Sequence, residues 1–125
     1  MNRTTMLLVS TALALSAARS TFAQTADVTV PAGNGFVHLT ARTPDVIHVQ
    51  YATDKLFFEH PSLSALPLTS PPPKCDVTSD ASSTTLSTDH LKARIDLKTG
   101  AVRFLDPAGN AILAEKDNGR TVEPA

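Results

Sequence analysis

The 125-residue chain has no tryptophan, one tyrosine, one cysteine and five glycines. Each shortage closes off a class of protein. A lone Cys75 cannot form an internal disulfide or complete a paired-cysteine metal or redox motif. Aromatic residues are only 5% of the chain. The stacking platforms common in sugar-binding modules therefore have few candidates. Basic residues are in no excess, with 11 Lys and Arg against 12 Asp and Glu. That balance offers no basic face for nucleic acid. No GxSxG, HExxH or phosphate-binding glycine loop is present. Gly33-Asn34-Gly35 precedes a strand-like run rather than a helix, so it does not read as a phosphate cradle.

Long apolar runs are also missing, except at the start. Asn2-Arg3 precedes MLLVSTALALSAA at 6–18, and Thr21-Phe22-Ala23 offers small residues before a cut. This pattern predicts a secretory signal peptide over 1–23, cleaved after Ala23. The run is shorter than the roughly 20 apolar residues of a spanning helix, and Arg19 ends it. The expected product is exported, periplasmic or secreted, with no membrane attachment after cleavage. Lipoprotein processing does not fit, because Cys75 lies far from the signal. Losing Arg3 and Arg19 moves the formal net charge from −1 to about −3. The remainder, 24–125, suits one small domain.

What the chain does have is alternation. Asp27-Val28-Thr29-Val30 reads as a short strand stopped by Pro31 and the Gly33-Asn34-Gly35 turn. FVHLTAR at 36–42 and VIHVQYA at 46–52 alternate apolar and polar residues around Pro44-Asp45, which predicts a hairpin. The strongest signal spans 84–115. Leu91, Ala93, Ile95 and Leu97 alternate with Lys92, Arg94, Asp96 and Lys98, giving one buried and one wet face. Lys98-Thr99-Gly100 and Asp106-Pro107-Ala108-Gly109-Asn110 are turns. Between these regions, 56–83 holds Pro61, Pro67 and Pro71-Pro72-Pro73 among many serines and threonines. It reads as a crossing loop between two sheets. Its Leu56, Phe57, Phe58, Leu63, Leu66 and Leu68 are expected to dock partly on the core, and a short strand is expected near 75–78. No amphipathic helix of useful length follows the signal. Seven or eight short strands with regular turns predict an all-β, antiparallel β-sandwich.

Candidate chemistry is sparse. If Pro44 lies at the hairpin tip, residues 38 and 50 pair, as do 40 and 48. His38 and His48 then become diagonal neighbours on one face. Two such imidazoles could hold a metal with a third ligand, but no third residue has suitable spacing. The plainer reading has both facing solvent beside Thr40, Gln50 and Arg42. His60 and His90 have no partner legible in the sequence. Asp89, Asp96, Asp106, Glu115 and Asp117 are carboxylates by type, yet no spacing marks an acid and a nucleophile. Asp106 reads as a turn residue, Asp96 as a solvated strand residue and Glu115 as a strand end. Cys75, following three prolines and Lys74, reads as a neutral thiol in a loop; no Cys-His motif supports a nucleophile, and an intermolecular link is the open alternative. Tyr51 shares a face with Ile47 and Val49 and is expected in the core. Phe57 and Phe58 cannot both be buried in an extended segment, so one is a candidate exposed platform. No catalytic, cofactor-binding or metal-binding residue is assigned.

With those residues in view, the sequence resembles the N-terminal part of glycoside hydrolase family 31, the α-glucosidase and α-xylosidase group. The pattern runs through Asp45-Val46-Ile47-His48-Val49-Gln50-Tyr51 and Pro61-Ser62-Leu63. It continues through LSTDHLKARID at 86–96, TGAVRFLD at 99–106 and GNAILAE at 109–115. The resemblance implies a galactose-mutarotase-like β-sandwich preceding a (β/α)₈ barrel. That barrel supplies both catalytic aspartates, and the family needs no metal or organic cofactor. It implies that this chain is a partial, non-catalytic sandwich whose partners are carbohydrate and the barrel of the same polypeptide. The alternative is a free-standing exported β-sandwich that binds carbohydrate or protein.

Overall fold

A computed structural model describes residues 26–66 and 71–121. The expected signal peptide lies outside the described residues, as do Pro67 and Leu68. Among the described residues the protein is all-β, with two antiparallel sheets. The first sheet joins β1 (Asp27–Ala32), β2 (Gly35–Thr43) and β3 (Val46–Ala52) in chain order. The second joins β4 (Cys75–Ser79), β5 (Ser83–Thr88), β6 (Lys92–Asp96), β7 (Val102–Leu105) and β8 (Ala111–Ala114), also in chain order. A 3₁₀ turn, Lys55–Glu59, lies in the crossing between the sheets.

Period-two alternation explains the packing. Val37, Leu39 and Ala41 of β2 point inward with Ile47 of β3. Leu86 of β5, Ala93 and Ile95 of β6, and Val102 of β7 meet them from the other sheet. Leu39, Leu86, Ile95 and Val37 are fully buried. Each such side chain contributes about 1.5–3 kcal/mol through loss of apolar contact with water. Tyr51 packs against this core at its edge, as its shared face with Ile47 and Val49 requires. Cys75 is buried at the start of β4 rather than lying in a loop. Its position opposite Thr88 turns the thiol inward.

Turn chemistry holds the sheets together at both ends. At one end Gly33, with φ 59°, takes the first place of the two-residue β1–β2 turn, where a side chain would be strained. Its N–H donates to the Leu97 carbonyl of the second sheet at 3.0 Å. Arg120 lies over the Tyr51 ring at 5.1 Å and donates to the Gly100 carbonyl at 3.2 Å. At the other end the Thr88 hydroxyl donates to the Pro44 carbonyl at 2.6 Å. His90 Nδ1 lies 2.9 Å from Asp45 Oδ1. The tip of the β2–β3 hairpin is thereby tied to the β5–β6 turn.

The crossing differs from the sequence expectation. Leu56, Phe57, Leu63 and Leu66 do not dock on the core but are exposed, Leu63 fully so. The core is already closed by strand side chains, so the loop runs outside the first sheet instead. Three strands also cannot cover five. All four residues of β8 are exposed, and Ile112 and Leu113 each leave more than 60% of their surface open. Among the described residues nothing pairs with the far edge of β8. An apolar, unpaired edge strand is a template for association. The isolated chain is therefore expected to self-associate as its concentration rises. Leu113→Lys should shift it toward monomer in sedimentation equilibrium, and an unchanged, concentration-independent monomer in the wild type would contradict this.

Candidate functional site: a covered face on the β2–β3 hairpin

The outer face of the first sheet carries the polar side chains His38, Thr40, Arg42, His48 and Gln50. The β2–β3 register pairs His38 with Gln50 and Thr40 with His48. His38 and His48 are thus diagonal neighbours, as the hairpin reading requires. One extra residue, Arg42, bulges between the Ala41–Ile47 and Thr43–Val46 pairs. Bulges bend a strand and re-aim side chains.

His38 does not face solvent. Its side chain is only 15% exposed. Phe58 stacks on it at 5.2 Å between ring centroids and 25° between planes. Nδ1 lies 2.6 Å from the Thr29 hydroxyl, and Nε2 lies 3.0 Å from the Thr40 hydroxyl. A neutral imidazole satisfies both hydroxyls, donating at one nitrogen and accepting at the other. Desolvation holds the His38 pKa below 6.5, and His48 pushes in the same direction. Asp27, whose Oδ2 is 3.9 Å from Nε2, opposes them without winning.

The cover comes from the crossing. Asp54 caps the 3₁₀ turn, its Oδ1 accepting from the Leu56 N–H at 2.9 Å. The turn then lays Phe58 on His38 and leaves Phe57 edge-on to it, 56% exposed. Of the two phenylalanines, Phe57 is the exposed one. Beyond the turn, Arg42 Nη2 donates to the Leu66 carbonyl and ties the loop to β2 at that point. Between loop and sheet lies an open groove of about 270 Å³. Its floor is Thr40, Arg42, His48 and Gln50, and Phe58, His60 and Pro61 wall it. His60, which had no legible partner, therefore shares a site with His48.

The other candidates are structural. Asp96 Oδ1 accepts from the Lys98 and Thr99 N–H groups, both at 2.9 Å. It shapes the turn rather than simply facing water. Asp106 does the same for its own turn, accepting from the Asn110 N–H at 2.8 Å and the Asn110 side chain at 3.0 Å. These hydrogen bonds to the charged form lower both pKa values. Glu115 accepts from the Val102 N–H at 2.8 Å and pairs with Arg120. His90 pairs with Asp45, a contact between residues 45 apart that no local pattern signals. Burial pushes the Cys75 thiol pKa up, away from the thiolate that a nucleophile needs. Sequence reasoning missed Asp80, whose carboxylate accepts from the Ser82 and Ser83 N–H groups, each at 2.8 Å. These bonds hold it at about 2. The Asp-Ala-Ser-Ser run was the available signal for that turn. Among the described residues, no three His, Cys, Asp or Glu come together as a metal site. No helix among them is long and apolar enough to cross a membrane.

Two sheets clasped at their ends, with one polar face covered by a loop, define an antiparallel β-sandwich module. This module is similar to part of a solved glycoside hydrolase family 31 α-xylosidase from Xanthomonas citri. The match has a TM-score of 0.68 and 29% sequence identity. It covers 79% of this chain and 11% of that one. The resemblance read from the sequence and the likeness of the fold thus point to one family. No protein-family model matches the sequence, and no curated protein matches it.

His38 makes stability depend on pH with a definite sign. Its folded pKa lies below 6.5, so the unfolded chain binds the proton more readily. Its contribution is complete above pH 6.5 and is lost as pH falls toward the lowered folded value. Urea titrations from pH 7 to 5 should show His38→Asn losing less stability than the wild type. The difference should not exceed about 1.4 kcal/mol per pH unit. Parallel wild-type and variant profiles would refute the assignment.

Proposed function

We propose that this chain is the N-terminal, non-catalytic β-sandwich of an exported α-glycosidase. The parent enzyme hydrolyses the O-glycosyl bond of α-glucosides or α-xylosides, and the sandwich flanks its catalytic barrel. The observation that carries this reading is the match to the family 31 α-xylosidase, at 29% identity over 79% of this chain. The chain spans 11% of that enzyme, so the chemistry is expected from elsewhere in the parent. Retaining hydrolysis needs two carboxyl groups about 5–5.5 Å apart across the scissile bond. Here Asp96, Asp106 and Glu115 are each engaged by backbone N–H groups at turns or strand ends. That engagement fits a structural role. The purified chain is expected to leave nitrophenyl α-glucoside and α-xyloside untouched. Turnover by the chain alone would overturn the proposal.

A second reading rests on Phe57. Its exposed ring, braced edge-on by Phe58 at 6.1 Å, is a candidate platform for stacking on a sugar. A free-standing carbohydrate-binding module would use it directly. In that case oligosaccharide retention in affinity electrophoresis should disappear in Phe57→Ala while the thermal transition stays in place. Retention unaffected by the substitution would count against this reading.

A further inference from the structure

We propose that the groove over β2 and β3 is a binding site for a single sugar carboxylate, a ligand of the hexuronate class. Its side chains set the charge preference. Arg42, His48, Gln50, His60 and Ser62 all bring hydrogen-bond donors to the groove, and among the described residues no carboxylate lines it. Arg42 is the permanent cation among them. Its planar fork matches the two oxygens of a carboxylate. The Leu66 carbonyl occupies only one of the five guanidinium N–H groups and holds the fork in place. The strand bulge at Arg42 sets the side chain beside the groove. A single fixed cation also argues for a monoanion. A phosphate dianion would retain charge that nothing else in the lining permanently cancels.

Size and shape set the rest. A volume of about 270 Å³ lies just under the roughly 300 Å³ at which small-molecule pockets begin. That admits one ring rather than a polymer. Phe58 and Pro61 give the groove an apolar wall, and Phe58 is immobilised by its stack on His38. An apolar wall facing amide, imidazole and hydroxyl donors suits a ring with a C–H face and a hydroxylated rim. The sugar half of this inference rests on the carbohydrate reading above. The carboxylate half rests on the lining alone.

Titration of the ¹⁵N-labelled chain with D-glucuronate, D-glucose and acetate tests both halves by NMR. Glucuronate should give saturable shifts at His48, Gln50 and His60, with affinity about tenfold above that for glucose or acetate. Arg42→Gln should weaken glucuronate binding by about tenfold. Because Arg42 also holds the Leu66 carbonyl, His60→Ala provides a variant that leaves that bond alone, and it should weaken binding severalfold. Absence of saturable shifts at tens of millimolar would overturn the proposal, as would affinity unchanged by both substitutions. Glucose binding as tightly as glucuronate would refute the carboxylate half, and acetate binding as tightly would refute the sugar half. The nitrophenyl glycoside assay reads the parent-enzyme proposal separately, so the two can fail independently.

Discussion

The contact between β2 and β5 is the constraint on which the rest of the structure depends. Leu39 and Leu86 are fully buried at the middle of those strands. A slip of one residue in either strand would turn its whole apolar set to water. Register is therefore fixed by burial on the inner face, and the outer face inherits it. His38, Thr40 and Arg42 share a surface because Val37, Leu39 and Ala41 must face inward. The groove is in this sense a by-product of the core, and its precision is borrowed from there.

Much of this was legible in the chain because period-two patterns report faces directly. The hairpin register placing His38 diagonal to His48 followed from Pro44-Asp45 and the alternation around it. The turns at Gly33 and Asp106 were marked by the residues that make them, while the turn after β6 was marked by Lys98-Thr99-Gly100 and not by Asp96, which shapes it. What escaped was everything decided by return of the chain from a distance. The apolar residues of the crossing gave no sign of which surface they would meet, because a proline-rich segment has no period. Phe58 on His38 and Asp45 beside His90 join residues 20 and 45 positions apart. Cys75 looked like loop because three prolines precede it. The short strand expected near 75–78 is nonetheless present as β4, Cys75–Ser79, with Thr88 opposite Cys75.

Fold and chemistry also separate cleanly. Of the carboxylates that could suggest catalysis, Asp96, Asp106 and Glu115 are engaged in closing turns and strand ends, where backbone N–H groups demand an acceptor. The covered hairpin face is rich in donors rather than acids. That division matches a module whose contribution to a glycosidase would be recognition or support. The likeness to a stretch of a family 31 α-xylosidase covers 11% of that enzyme.

Both sheets are meanders in which every strand pairs with its neighbour in the chain. Short-range pairings close small loops, so each sheet can assemble with little entropic delay. Only the crossing from β3 to β4 requires a long closure, and its cost grows only slowly with length. The two sheets are therefore two locally paired halves joined by one long closure, and their docking forms the shared core. A segment inserted into that crossing would alter the time the halves take to meet far more than the stability of the sandwich they form.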